Sequence, residues 1–295
     1  MKTFNKVSLS VLVVALMLGL SGLARAATTA VDLGTAKNFA VLGGSAINDT
    51  TPSVISGNVG LSPAGWGGSA LTCAEVTGTI YSVDGSGPLP CRVTNAGVLT
   101  PAKNDLTTAY TDAANRTPFT TLSSGDNQLG GQTLTAGVYR FGGASTANLI
   151  GTLRLDAQGD SNAVFIFQAT STLVTASSSV VRLINGAQAC NVFWQVSSSA
   201  TLGTSTTFVG TVMADQAIVD TGSSTVEGRL LARITAVTLN DTTITKPVCV
   251  VTQPTMPNTG VVPDAKSSTP WNIIIPAGIF AALFSFYLAR KRRII

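Results

Sequence analysis

The sequence predicts a mainly β chain, wound as a solenoid of short strands, with one helix beside it. Three observations predict this. Hydroxyl residues make up near a quarter of the 295 residues (40 Thr and 27 Ser), while charged residues make up only 11%. Short β-rich runs recur in three interleaved rows. A single stretch carries apolar residues at helical spacing. The chain is too apolar to be disordered and too poor in helical runs to be all-α.

Taken in order, residues 1–26 read as a secretory signal peptide. Lys2 and Lys6 precede an apolar core from Val7 to Leu20, and Ala24-Arg25-Ala26 fits the small-x-small cleavage rule. The folded domain is expected over 27–250. Within it, residues 61–95 form a Gly/Pro-rich excursion holding Trp66, Cys73 and Cys91, suited to capping an open sheet edge. A helix is expected over 101–116. Thr100-Pro101 opens it, Leu106, Ala109, Tyr110 and Ala113 share a face, and Pro118 lies just beyond. That helix should cover the most apolar row of strands.

The rows are read directly from the chain. The first is Val164–Phe167, Val192–Gln195, Thr211–Ala214 and Arg229–Ala232. The second is Thr172–Thr175, Ala200–Gly203, Ala217–Asp220 and Ala236–Leu239. The third is Ser179–Arg182, Thr206–Val209, Ser224–Glu227 and Thr242–Thr245. Steps are 17 to 20 residues, except for the first advance near 28, where Asn185 to Cys190 adds a loop. Three strands per turn at that period mark a β-solenoid.

Four cysteines lie in the exported part, so disulfides are expected. Three pairings are possible; Cys73–Cys91 with Cys190–Cys249 is favoured, since the first closes the Gly/Pro loop and the second ties the last coil to an earlier one. Beyond a linker at 251–272, an apolar run at 273–289 reads as a transmembrane segment, followed by a basic tail at 290–295. Met256-Pro257-Asn258-Thr259-Gly260 precedes that run, and the whole arrangement resembles a Gram-positive Leu-Pro-x-Thr-Gly cell-wall sorting signal. The resemblance implies sortase cleavage between Thr259 and Gly260, with Met in place of the usual Leu. It places the domain outside the cell, anchored to cell wall or membrane.

Chemistry is narrowed by what is missing. There is no His, which removes the commonest general base and nearly all zinc and heme sites. The acids are thinly spread: Asp156 and Asp160 flank a turn, and Asp215 and Asp220 sit one strand apart. No catalytic residue, metal or cofactor is expected. Eight of the 18 basic residues belong to the two ends, leaving residues 27–259 with 10 basic and 13 acidic residues and no case for a nucleic-acid partner. Hydroxyls instead recur at strand spacing on the second row and its turns: Thr172, Thr175, Thr201, Thr204, Thr221, Thr235 and Thr238. Alternate residues of a strand share a face, so such a row offers a stiff grid of methyls and hydroxyls able to order water.

Several longer motifs resemble the microbial ice-binding-like family (type 1 ice-binding or antifreeze proteins). They are Leu33–Leu42, Leu134–Tyr139, Leu155–Asp160, Val164–Gln168 and Asn185–Val196, and the likeness spans about residues 30–249. Membership implies a discontinuous right-handed β-solenoid of triangular cross-section with a long helix alongside. It also implies ice or ordered water as the partner of one flat face, in a monomer. The family's binding face resembles Thr-(Ala/Gly)-x-(Thr/Asn). Thr235-Ala236-Val237-Thr238 fits fully, and Thr221-Gly222-Ser223-Ser224 and Thr175-Ala176-Ser177-Ser178 fit with Ser last. Ser56-Gly57-Asn58 and Thr77-Gly78-Thr79 are expected to add N-terminal coils to that face. Val174, Ile218 and Asp220 are expected to point outward beside them, with Leu173 and Val219 inward, so that Asp220 sets a charge on the plane. The other function class is a surface adhesin of the same shape, holding a polysaccharide or another cell, with Trp66 and Tyr81 as its exposed aromatics.

Overall fold

The computed structural model describes residues 28–67, 71–122, 127–143 and 146–249. The signal-peptide, linker, sorting-motif and apolar-run expectations, Met256 to Gly260 included, lie outside these residues. Among the described residues, no helix is long and apolar enough to cross a membrane.

Strand pairing is parallel throughout and sorts into three ladders, here a, b and c, which each coil visits in the order c, a, b. One coil shows the pattern: Val180–Ile184 lies in c, Val192–Val196 in a and Ala200–Leu202 in b. Two strands, Thr207–Ala214 and Thr225–Ala232, run through the c-to-a turn and serve both ladders. Ladder b is a six-stranded sheet of its own, made of Ala147–Leu149, Leu173–Thr175, Ala200–Leu202, Ile218–Asp220, Val237–Leu239 and Ile47–Asp49. The three rows read from the sequence are these three ladders, with four of the steps one residue out of register: Phe165 rather than Val164 lies opposite Val192, Phe193 rather than Val192 opposite Thr211, and Ala200 opposite Leu173 and Ile218 rather than Thr172 and Ala217.

The order of coils is not the order of the chain. Phe39–Gly43, Ile47–Asp49 and Val54–Ser56, from the N-terminal end, stack on the last coil: Val41 lies opposite Leu230, Asn48 opposite Thr238, and Ile55 opposite Ile244. The excursion after Leu61 is partly ladder as well, since Val76–Thr77 extends c while Ile80–Ser82 and Arg92–Thr94 extend a. Its loops are joined by the Cys73–Cys91 disulfide; Cys190–Cys249 is the second bond, so the favoured pairing is the one present.

Inside the stack, the same ladder position repeats as an aromatic column. Tyr139, Phe167 and Trp194 are register neighbours in ladder a, and the Phe167 and Trp194 rings stack at 4.0 Å and 12°. Parallel strands repeat every ~4.8 Å, close to the stacking distance of flat rings, so one aromatic per coil fills the interior without a gap.

The outer side of ladder a would be an apolar sheet in water; the helix Ala96–Asn115 (α1) covers it. Leu99, Ala102, Leu106, Ala109 and Ala113 recur at three- and four-residue steps and are fully buried. They pack with Leu42, Ile166, Phe193, Met213 and Leu231. Alanine on the inner helical face lets the backbone approach the sheet closely. The helix also carries the chain from the Arg92–Thr94 end of ladder a to the Thr120–Leu122 end; at 1.5 Å per residue its 20 residues span about 30 Å.

The expected start at residue 101 is corrected to Ala96. Asn95 is the cap, its side chain accepting from the Val98 N–H at 3.1 Å. Pro101 lies inside the helix, where its missing N–H leaves the carbonyl of exposed Gly97 without a helical partner. At the other end no glycine cap is needed. The Gln168 amide donates to the carbonyls of Ala113 (2.8 Å) and Arg116 (3.0 Å), and Arg140 to that of Ala114 (3.2 Å).

Candidate functional site

Ladder b is uncovered by any helix. Each of its strands has three residues, and in each the middle residue is half-buried between two buried ones. The period of two puts that middle residue outward. Across the ladder the outward rank reads Asn148, Val174, Thr201, Val219, Thr238, Asn48, each opposite the next. A second half-buried rank stands one residue before each strand: Thr146, Thr172, Ser199, Ala217, Ala236 and Ala46. The Thr146 and Thr172 hydroxyls share a hydrogen bond of 2.9 Å, and the Asn48 amide donates to the Thr238 hydroxyl at 3.4 Å. None of these twelve residues is charged.

The sequence-derived residues divide by place. Thr172, Thr201 and Thr238 stand on ladder b. Thr204 and Thr221 are exposed at its b-to-c edge, their hydroxyls 3.2 Å apart. Thr235 stands at the a-to-b turn, its hydroxyl buried without a hydrogen-bond partner. Thr175 points inward, 2% exposed; its hydroxyl accepts from the Gly203 N–H at 2.8 Å and shares a 3.0 Å bond with Thr206. Ser56 and Thr77 lie in ladder c. Asn58 opens a ladder a strand, its side-chain oxygen accepting from the Thr79 N–H at 3.0 Å. These four do not extend the b surface; Asn48, which does, was missed.

The segments 175–178 and 221–224 are corrected too. They form the b-to-c turn rather than the flat face. Ser178, Ser205, Ser223 and Asp241 take left-handed φ values of 60°, 59°, 54° and 50° at this turn in four successive coils. Their N–H groups donate to the neighbouring coil's turn, as from Ser178 to Thr204 and from Ser205 to Gly222, both at 2.8 Å. The turn thus repeats as its own hydrogen-bonded rung.

Strand parity is the largest correction. Val174 is outward as expected, but Ile218 and Asp220 are inward and Val219 is outward. Asp220 sets no charge on the plane. Its carboxylate accepts from Ser224 Oγ (2.7 Å), the Gly222 N–H (3.1 Å) and Thr242 Oγ1 (2.5 Å). The chain of contacts continues from the Thr242 N–H to Ser53 Oγ (3.0 Å) and from Ser53 Oγ to Asp49 (2.9 Å). Burial pushes the Asp49 carboxyl up to about 6, with a hydrogen bond to Glu75 adding to the rise. Glu75 is buried as well, which opposes its charge, yet bonds from Thr72 and Asp49 hold it below its ordinary range. A buried polar column therefore braces the edge of ladder b from within.

At the opposite edge Lys103 of α1 reaches into the a-to-b turn. Its ammonium donates to the carbonyls of Ala232 (2.8 Å), Arg233 (2.7 Å) and, more loosely, Gly43 (3.5 Å), so it spans the seam between the last coil and the N-terminal one. Burial, then the charge of Arg233, lowers it to about 8. Arg233 itself pairs with Asp215. Of the two aromatics expected to be exposed for an adhesin, Trp66 is buried, 3% exposed, its indole donating to the Tyr81 carbonyl at 3.1 Å, while Tyr81 is half-buried and packs edge-on against Phe39. Among the described residues no cluster of three or more metal-ligating side chains occurs.

These features define a class: a coiled parallel-β protein with one helix-covered side and one bare side whose outward ranks are uncharged. Residues 41–245 match the ice-binding-like family, and the chain belongs to it. An ice-binding protein of Colwellia sp is 41% identical over 218 residues, 74% of this chain and 84% of that protein. One of Nostoc sp. (strain HG1) is 42% identical over 261 residues, 88% of this chain and 87% of that protein. The crystal structure of an ice binding protein from an Antarctic biological consortium is similar with a TM-score of 0.65 at 38% identity, over 75% of this chain and 93% of that one.

Proposed function

We propose that this protein adsorbs to ice through ladder b, and that it is a right-handed β-solenoid of triangular cross-section. The observation that carries the reading is the uncharged double rank on ladder b. Strand spacing of ~4.8 Å and alternate-residue spacing of ~6.7 Å set its grid. The methyls of Thr, Val and Ala favour caged water, while Thr, Ser and Asn groups anchor that water by hydrogen bonds. A charge would hold its own shell instead. The inward turn of Asp220 and Asp49 is what leaves the grid neutral. Of the residues expected from sequence, Thr172, Thr201, Thr204, Thr221 and Thr238 serve this role, joined by Asn48, Asn148, Val174 and Val219.

The protein acts as a monomer outside the cell. The apolar run, the basic end and Met256–Gly260 support attachment to cell wall or membrane, with a sortase as the processing partner, so that adsorption holds the cell to ice or limits ice growth beside it. Thr238→Tyr plants a ring in the outward rank, between Val219 and Asn48. It is expected to abolish partition into slowly growing ice while the melting curve stays that of the wild type; unchanged partition rejects ladder b as the adsorbing surface.

A further inference from the structure

We propose that the Cys190–Cys249 disulfide is a force-transmitting junction, which delivers any pull on the C-terminal tail to the middle of the stack, at the turn that does not border ladder b. The topology sets up the need for it. After Thr243–Thr245 in ladder c, a further coil would enter ladder a, but Phe39–Gly43 already holds that place, paired with Thr225–Ala232 and Asn58–Leu61. The chain leaves the ladder instead. The Lys246 N–H donates to the Ser56 carbonyl at 3.1 Å, and Cys249 is bonded to Cys190, Cα to Cα 5.7 Å. Cys190 lies in the short helix Ala189–Asn191, between a ladder c strand and a ladder a strand. This is the c-to-a turn. Forty-six residues follow Cys249.

Without the bond, force on those residues would reach Lys246 first, then the three-residue strands Thr243–Thr245 and Val237–Leu239, and ladder hydrogen bonds would part a few at a time. Those two strands hold Val54–Ser56 and Ile47–Asp49 to the last coil, so peeling them opens ladders b and c at the seam and leaves only the pairing of Phe39–Gly43 with Thr225–Ala232 in ladder a. The disulfide takes the 59-residue separation between Cys190 and Cys249 off the load path. Force then enters beside Val192–Val196, a strand buried at every position, with Trp194 in the interior and Phe193 under α1. Moving it requires breaking both neighbouring strand pairs together. The biological use of this route rests on the anchoring reading above; the mechanical claim does not.

The test stretches the full chain between its C-terminal end and a click handle built in at residue 201, which replaces ice as the point of grip. Between residue 201 and the tail lie eleven residues of chain through the disulfide, about 40 Å when extended, against 48 residues through Cys249 without it, about 170 Å at ~3.5 Å per residue. At constant force the native protein is expected to survive at least tenfold longer than Cys190→Ser/Cys249→Ser, whose first event should release only the residues nearest the tail. Equal lifetimes overturn the proposal. If the double variant does not fold, native protein reduced in place by a phosphine under load supplies the comparison, with the same two outcomes. Ice partition in solution, at zero load, is expected to be equal for both forms. A failure there bears on the ice reading and leaves the force result standing.

Discussion

Ladders b and c are built from the same coils at the same strand spacing, and both present threonine to the outside. In c, Thr207, Thr225 and Thr243 stand in one exposed rank. The two ladders differ in where charge goes. Ladder c turns Arg154, Arg182 and Glu227 outward, with the two arginines directly opposite one another. Ladder b turns both of its carboxylates, Asp49 and Asp220, inward onto hydroxyls and backbone N–H groups. Threonine content therefore does not distinguish the two ladders. Neutrality does, and on ladder b it is maintained at the cost of burying two acids, which is tolerable only because each has partners.

The largest effect follows from breaking that neutrality. Val219→Asp places a carboxylate at the centre of the outward rank of b, and ice partition should fall at least tenfold. Thr225→Asp places the same charge at an equally regular site on c, and partition should be unchanged. Equal losses at the two sites would end the distinction between the ladders.

Much of this was legible before any coordinates. Three rows of strands with steps of 17 to 20 residues are a pattern that a sandwich does not require, and the rows proved to be the ladders. Of three possible Cys pairings, the one favoured for the loops it would close is the one present. Parity within a strand was harder. Ala200-Thr201-Leu202 and Val237-Thr238-Leu239 declare their outward residue by alternation, whereas Ile218-Val219-Asp220 has β-branched residues on both sides and an acid whose partners, Ser224 and Thr242, come from a turn and from the next coil. Gly222 and Ser224 lie within four residues of Asp220, but no local signal reports that Thr242, 22 residues on, completes the site. The placement of Ser56 and Thr77 failed for a related reason: a Gly-containing Ser/Thr triplet fits a turn as readily as a flat strand. Asn48 was invisible because its neighbours in the ladder, Thr238 and its coil, are at the other end of the sequence.

A smaller effect tests the inward Asp220 directly. Asp220→Leu leaves the buried Gly222 N–H without its acceptor and confines the Ser224 and Thr242 hydroxyls to their longer bonds with the Gly203 (3.2 Å) and Asn240 (3.4 Å) carbonyls, and should cost about 1–3 kcal/mol of stability, read from denaturant melts. Below its melting point the variant should still partition into ice. An outward carboxylate would behave in the opposite way: its removal would leave stability alone and raise ice affinity.

The smallest effect is a pH dependence at the edge of the same ladder. Asp49 has its proton affinity raised in the folded state, from the ordinary 3.8 to about 6, by burial first and then by the bond to Glu75. Stability from this group is present in full below its unfolded value and is lost as pH rises through about 6, because the folded protein must then give up a proton it holds more tightly than the unfolded chain does. Glu75, depressed, works the other way only at lower pH, losing its contribution as pH falls below the ordinary 4.5. The two titrate as a pair. Asp49→Asn keeps the uncharged form at every pH and retains an amide oxygen to accept from Ser53. Its melting temperature relative to wild type should therefore rise between pH 4 and pH 7 and level off above. A difference that stays flat across this range would mean that Asp49 and Glu75 share no proton, and that the column beneath ladder b is held by the hydroxyls of Ser53 and Thr242 alone.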